Sequence, residues 1–480
     1  MPGAKSPRGS RSQGRGDEAI KHALVKKPRF ARGFFFGTLN RFMPIPVDLC
    51  IDARWIVPIE PAGALEHHTL VVDGGRIVAL IPTASVERDY APRERAALPT
   101  HALLPGLVNA HTHAAMTLLR GIADDMPLKP WLEQHIWPRE ERFLSPEFVH
   151  DGTLIAAGEM LLGGITCCAD QYFFPDAAAR AYRQAGIRAF IDMPVLDFPT
   201  PYAADADAYL QEGLAARDAW RHEPKLTFAL APHAPYTVGD ASWEKVVVYA
   251  RQLDLPIQTH LQETRAELEQ SLAADAMSPL ARLERLGVTG PNFIAVHAVH
   301  LAESDVELLA AQSCQVVHCP VSNLKLASGI APVAALQARG VNVALGTDGA
   351  ASNNRLDILG EARLAALLAK VASGDAATMP AGLALRMATL DGAVALGLDA
   401  AIGSLMPGKQ ADAIAVSLAK FEHAPCYDPI SHLVHVVGRD QVTDVWVAGE
   451  RLVRDGTVTS LDRFELSARA RMWQERMQGR

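Results

Sequence analysis

Leu104-Pro-Gly-Leu-Val-Asn-Ala-His-Thr-His113 is an apolar strand that runs into two histidines. Side chains on a strand alternate with period two, so His111 and His113 point the same way. Two imidazoles on one face can share a metal ion. The strand, read as Leu103–Ala110, is the first of eight short apolar segments. The others are Ile165–Asp170, Ile187–Pro194, Leu226–His233, Ile257–Leu261, Phe293–His297, Gln315–Cys319 and Val341–Asp348. Helix-length stretches lie between them, among them Ala206–Arg221, Trp243–Gln252, Pro279–Leu286 and Glu303–Gln312, with Leu, Ala and Val at helical spacing. Strands alternating with helices imply an α/β architecture with a parallel sheet, and eight repeats suit a (β/α)8 TIM barrel over residues 105–401. A doubly wound sheet is the alternative, weakened because no GxGxxG follows the first strand.

Both flanks of this region read as β-rich. Asp73-Gly-Gly sits between Thr69-Leu-Val-Val and Arg76-Ile-Val-Ala-Leu-Ile, and Val445 to Gly456 repeats the strand–turn–strand pattern. Neither flank holds enough apolar residues for its own core. Residues 43–104 and 402–480 are therefore expected to meet in one small β-sandwich domain with a C-terminal helix.

The 480 residues are 49% apolar and 21% charged, an ordinary globular composition. No run of about 18 apolar residues predicts a membrane helix. Six scattered cysteines form no CxxC pair and suggest no disulfide framework, which fits a reducing cytoplasm. Residues 1–45 carry ten Lys/Arg and two acids, whereas the remainder has 36 basic and 52 acidic residues. An acidic body argues against nucleic acid as the main partner. The basic segment 1–42 reads as a disordered extension, with a targeting peptide or a nucleic-acid arm as alternatives. Met43 opens a more ordinary beginning, and mass spectrometry of the native N-terminus distinguishes the two starts.

The polar residues gather where the predicted strands end. Strand 4 ends at His233, strand 5 at His260 with Glu263 just beyond, strand 6 at His297 and strand 8 at Asp348. In a barrel those ends surround one site. His111, His113, His260 and Asp348 together form a set suited to Zn2+, although iron, manganese or nickel accept similar ligands.

These words resemble the amidohydrolase superfamily: Leu104–His113 its PGLVNxHxH opening, and Gly346-Thr-Asp-Gly-Ala-Ala-Ser-Asn353 the strand 8 motif of its nucleobase deaminases. Leu119–Asp125, Trp131–Pro138 with Glu140, Ala231–Tyr236, His260-Leu-Gln-Glu263 and His318–Lys325 are similar to the methylthioadenosine/S-adenosylhomocysteine deaminases. The resemblance spans about residues 46–460. It implies one zinc per subunit on His111, His113, His260 and Asp348, with Glu140, His233 and Glu263 at the substrate and Glu140 serving the ribose hydroxyls. It also implies a homo-oligomer. Two departures matter. Met193–Pro201 lacks the arginines that can hold a homocysteine carboxylate, and Leu226–His233 lacks the lysine that bridges two metals in some relatives. Methylthioadenosine or adenosine and a single metal are the readings that follow.

The expected chemistry is hydrolytic deamination of an adenine nucleoside by a metal-activated water, releasing ammonia. Glu263 donates a proton to the ring nitrogen, Asp348 takes the proton of the water, and His297 orients it. Asp348 thus serves as ligand, catalyst and substrate contact. Trp131 can stack on the purine or simply be buried, Ser352 is a weaker candidate contact, and Glu140 within Arg139-Glu-Glu-Arg142 can equally belong to a solvated helix face. His300 and His318 are read as structural or pocket-lining. Competing readings are a deaminase of guanine or cytosine, a triazine chlorohydrolase, or a noncatalytic assembly protein on the same barrel.

Overall fold

The computed structural model describes residues 43–479; the basic extension 1–42 lies outside them. Its centre is an eight-stranded parallel sheet whose strands follow one another in chain order. The strands are Leu107–Thr112, Ile165–Gln171, Arg188–Val195, Leu226–Pro232, Ile257–Leu261, Phe293–His297, Gln315–His318 and Asn342–Leu345. All eight are almost wholly buried, which explains their continuous apolar reading. Inward-facing Val108, Ala110, Cys167, Phe190, Ile294 and Val317 fill the barrel below the site. Side chains help to join the last strand to the first. Thr347 N donates to Asn109 Oδ1 at 2.9 Å, Asn109 Nδ2 to Thr347 Oγ1 at 2.8 Å, and Asp348 N to His111 O at 3.1 Å.

The first predicted strand needs correction. Leu103–Pro105 end a long strand, Tyr90–Pro105, of a different sheet, and the barrel strand starts at Leu107. Gly106 is the break. A Cβ there would lie 2.0 Å from Thr166 Oγ1, so only glycine lets the chain pass this close while it changes sheets.

The other sheet joins both chain ends. Leu103, Leu104 and Pro105 pair antiparallel with Ala415, Ile414 and Ala413, and hydrogen bonding links eight strands in one continuous mixed sheet. The C-terminal helix Arg463–Gln478 packs Trp473 against Phe148 of a barrel helix. No described helix is long and apolar enough to cross a membrane.

One ion pair ties the barrel to this sheet. Arg188 meets Asp412 through two contacts of 3.3 Å, and Asp412 Oδ1 also accepts from Ala448 N at 2.7 Å. Both side chains are more than nine-tenths buried. Arg188→Met leaves the Asp412 charge unpaired and is expected to cost about 3–5 kcal/mol in urea unfolding, whereas Arg188→Met with Asp412→Leu recovers much of that loss. A single variant as stable as the parent contradicts this role.

Candidate active site

The predicted residues converge at the C-terminal ends of the barrel strands. Each of His111, His113 and His260 places Nδ1 on an oxygen: His111 on Gln258 Oε1, His113 on Gln171 O and His260 on His233 O, all at 2.6 Å. Those acceptors make Nδ1 the donor and leave Nε2 for the cavity. Gln258 is itself oriented, since its Nε2 donates to Ala110 O at 3.3 Å.

The free nitrogens crowd together. His260 Nε2 and His113 Nε2 are 3.3 Å apart, and His111 Nε2 is buried without a hydrogen-bond partner. Asp348 Oδ1 lies 3.2 Å from His113 Nε2 and 3.8 Å from His111 Nε2. Ligand atoms of His111, His113 and Asp348, and likewise of His111, His260 and His297, fall within 4.8 Å of one another. An orphaned imidazole nitrogen and two that face each other need a proton or a metal ion between them. Three nitrogens and one carboxylate oxygen suit zinc. The donor set therefore fits that metal.

Burial sets the local electrostatics. It drives His111 down to about 3, with neighbouring His113 adding to the effect. His113 is raised to about 9, because the hydrogen bond and charge of Asp348 outweigh burial. Asp348 falls well below the usual carboxylate range: burial opposes this, but His113, His297 and His111 prevail. Burial lowers His233 to about 4, and that ring stands 4.9 Å from His260.

Three strand tips adopt left-handed backbone. Gln262, His297 and Asp348 have φ of 46°, 70° and 60°. Such conformations cost about 1–3 kcal/mol each and persist where surrounding contacts enforce them. Asp348 is held by Gly349 N on Oδ1 at 2.7 Å and by the hydroxyls of Ser322 and Ser352 on Oδ2 at 2.6 and 2.7 Å. Ser352 thus turns to Asp348 and is absent from the cavity lining, contrary to the expected substrate contact. His297 Nδ1 donates to Asn323 Oδ1 at 2.8 Å, leaving Nε2 3.8 Å from Glu263 Oε2.

Glu263 is fixed by its own loop. Thr264 caps helix Arg265–Asp275, and Glu267 accepts from the backbone N–H groups of Gln262 and Glu263 at 3.0 and 2.9 Å. Ser328 Oγ donates to Glu263 Oε1 at 3.2 Å. Burial, reinforced by Asp348, raises the Glu263 carboxyl above its ordinary value.

A cavity of about 560 Å³ opens over these groups. Glu140, Trp131 and His233 all line it. Glu140 is buried rather than solvated, and Tyr172 Oη donates to it at 2.6 Å. A π-helical turn, Leu132–Ile136, separates Trp131 from the helix Trp137–Phe143 that carries Glu140. Leu128, Trp137, Phe173 and Phe198 add apolar surface to the wall, and Glu141 and Thr200 also line it. His300 instead hydrogen-bonds Ser328 O at 2.7 Å, and His318 is buried outside the cavity. Sequence reasoning missed Gln258 and Tyr172. Gln258 stands two before His260, on the same face of its strand, and Tyr172 directly follows the second strand, so both carried a positional signal.

Residues 102–452 match the model of the amidohydrolase family. The chain is 48% identical over 432 residues to the 5-methylthioadenosine/S-adenosylhomocysteine deaminase of Teredinibacter turnerae, covering 90% of this chain and 98% of that relative. It is 44% identical to the protein of the same name from Saccharophagus degradans, over 90% and 97% of the two chains. A crystal structure of an adenosine deaminase from Xanthomonas campestris with bound zinc has a TM-score of 0.90 and 49% identity, covering 91% of this chain and all of that one.

Proposed function

Since the chain belongs to the amidohydrolase family, we propose that it is a zinc-dependent deaminase converting adenine nucleosides to their inosine analogues and ammonia. Its substrates are methylthioadenosine, S-adenosylhomocysteine and adenosine. The observation that carries this reading is Glu140, a buried acid on the cavity wall that belongs neither to the proposed metal ligands nor to the proton-donating group. A nucleoside brings ribose hydroxyls that can donate to such a carboxylate, and a free base or triazine lacks them.

Zinc held by His111, His113, His260 and Asp348 supplies a Lewis acid that brings the pKa of water to about 7. The chain's own groups do the rest. Glu263, whose carboxyl is raised above its ordinary value by burial, donates to the ring nitrogen beside the amino-bearing carbon. Asp348 accepts the proton of the attacking water and returns it to the departing amino group, while the Ser322 and Ser352 hydroxyls hold its Oδ2. His297 offers Nε2 to orient the water. Glu140 and His233 bind the nucleoside, and Trp131 covers the cavity.

Among the described residues, the cavity lining contains no lysine or arginine. Lys129, Arg265 and Arg282 line only an adjoining groove, past Leu128, Leu132, Trp137 and Phe198, and Arg282 is engaged by Asp240. A homocysteine tail brings a carboxylate that no cation on this wall can pair. An unpaired buried charge costs more than about 1–3 kcal/mol, so kcat/KM for methylthioadenosine should exceed that for S-adenosylhomocysteine by about tenfold or more. Ammonia release from zinc-loaded protein, with these nucleosides, adenosine, guanine and cytosine side by side, tests both statements. Silence on all three nucleosides removes the substrate assignment. Equal rates for the two thioethers instead place the tail carboxylate in the adjoining groove against Arg265.

A further inference from the structure

Glu361 lies outside the cavity, in helix Ile358–Ser373, and is 1% exposed. The mechanism above gives it no task. Its hydrogen-bond partners are neutral: Oε2 accepts from Val321 N at 3.1 Å, and Oε1 from Asn353 Nδ2 at 2.6 Å. A buried acid with no cation beside it is costly, and an apolar residue would fill the same space without that cost. Burial accordingly raises its carboxyl to about 8, while the two donors favour the ionised form.

What the two partners hold is informative. Val321 belongs to the short helix Pro320–Lys325, whose next two residues are Ser322 and Asn323. Ser322 Oγ donates to Asp348 Oδ2, and Asn323 Oδ1 accepts from His297 Nδ1. Asn353 follows Ser352, the second hydroxyl on Asp348 Oδ2, and its Nδ2 also donates to Thr347 O at 2.7 Å. One carboxyl therefore joins two segments that between them orient both Asp348 and His297.

We infer that Glu361 is a positioning residue for the reaction: it clamps the segment after the seventh strand to the segment after the eighth, keeping Ser322 and Ser352 on Asp348 and Asn323 on His297. The strained backbone of Asp348 explains the need. A left-handed residue at a strand tip keeps its side-chain direction only while its contacts enforce it. The inference rests on the roles proposed for Asp348 and His297.

Glu361→Gln keeps the volume but points an amide N–H at one of the two donors. With zinc still near one equivalent, kcat is expected to fall about 10–100-fold while KM changes less than about threefold. The visible spectrum of the cobalt-substituted protein is expected to change as well, because the Asp348 carboxylate loses its fixed orientation. Ser322→Ala should lower kcat in the same way. The double variant should lose less than the product of the two single effects, since both act through one carboxylate. If Glu361→Gln does not fold, Asn353→Ala cuts the other tie and carries the same expectation. Multiplicative losses, or a zinc-loaded Glu361→Gln with wild-type kcat and cobalt spectrum, overturn the clamp. Asp348→Asn checks the underlying roles separately. An active Asp348→Asn removes those roles, whereas an inactive one beside a fully active Glu361→Gln removes only the clamp.

Discussion

Glu263→Gln is expected to lower kcat by about 10²–10⁴-fold, the usual contribution of a positioned general acid, while zinc stays bound. The amide matches the carboxyl in shape and can still accept from Ser328 Oγ, so the loop should hold its conformation. Thr264 and Glu267 fix that loop through backbone groups that the substitution leaves untouched. What is lost is the transferable proton. The pH profile separates this role from mere structure. Burial raises the Glu263 carboxyl, so its proton is present below that raised value and is lost as pH climbs through it. Wild-type kcat should therefore decline on the alkaline side, and the residual activity of the variant should lack that limb. A variant that keeps near-wild-type kcat, or the same alkaline limb, assigns the proton to another group.

The parts of this site that were legible in the sequence share one property: their chemistry is local to a strand end. His111 and His113 announce themselves by period two, and His260, His297 and Asp348 by closing apolar segments. Glu263 stood out through its neighbour His260. The less legible residues act through tertiary contacts. Nothing in Glu361-Ala-Arg marks an acid that reaches Val321 and Asn353, and nothing in Ser352 says that its hydroxyl turns to Asp348 instead of the cavity. Glu140 shows the ambiguity most clearly. In sequence it sits in a charged run that suits a solvated face, and only folding brings it against Tyr172 and out of water. The fold has the same division. Repeating strands and helices defined the barrel, but the passage of residues 103–107 from one sheet to the other depends on the close approach of Gly106 to Thr166, which no periodicity encodes.

His111→Ala is expected to abolish activity and to leave the purified protein with far less than one equivalent of zinc after dialysis. His111 is fully buried and contributes the nitrogen that has no partner among the described residues, so alanine removes a donor that no neighbour can replace. Gln258 supplies the graded comparison. It touches His111 through Nδ1 and holds that ring's orientation without facing the cavity. Partners of this kind typically contribute about 10–100-fold in metal affinity. Gln258→Leu should therefore bind zinc about 10–100-fold more weakly in chelator competition, and recover activity when zinc is supplied in excess, whereas His111→Ala should not recover. The order distinguishes a metal site from a packed cluster of histidines. In a purely structural cluster both substitutions would act on folding, and added zinc would rescue neither. Full zinc content and full kcat in His111→Ala would remove His111 from the ligand set.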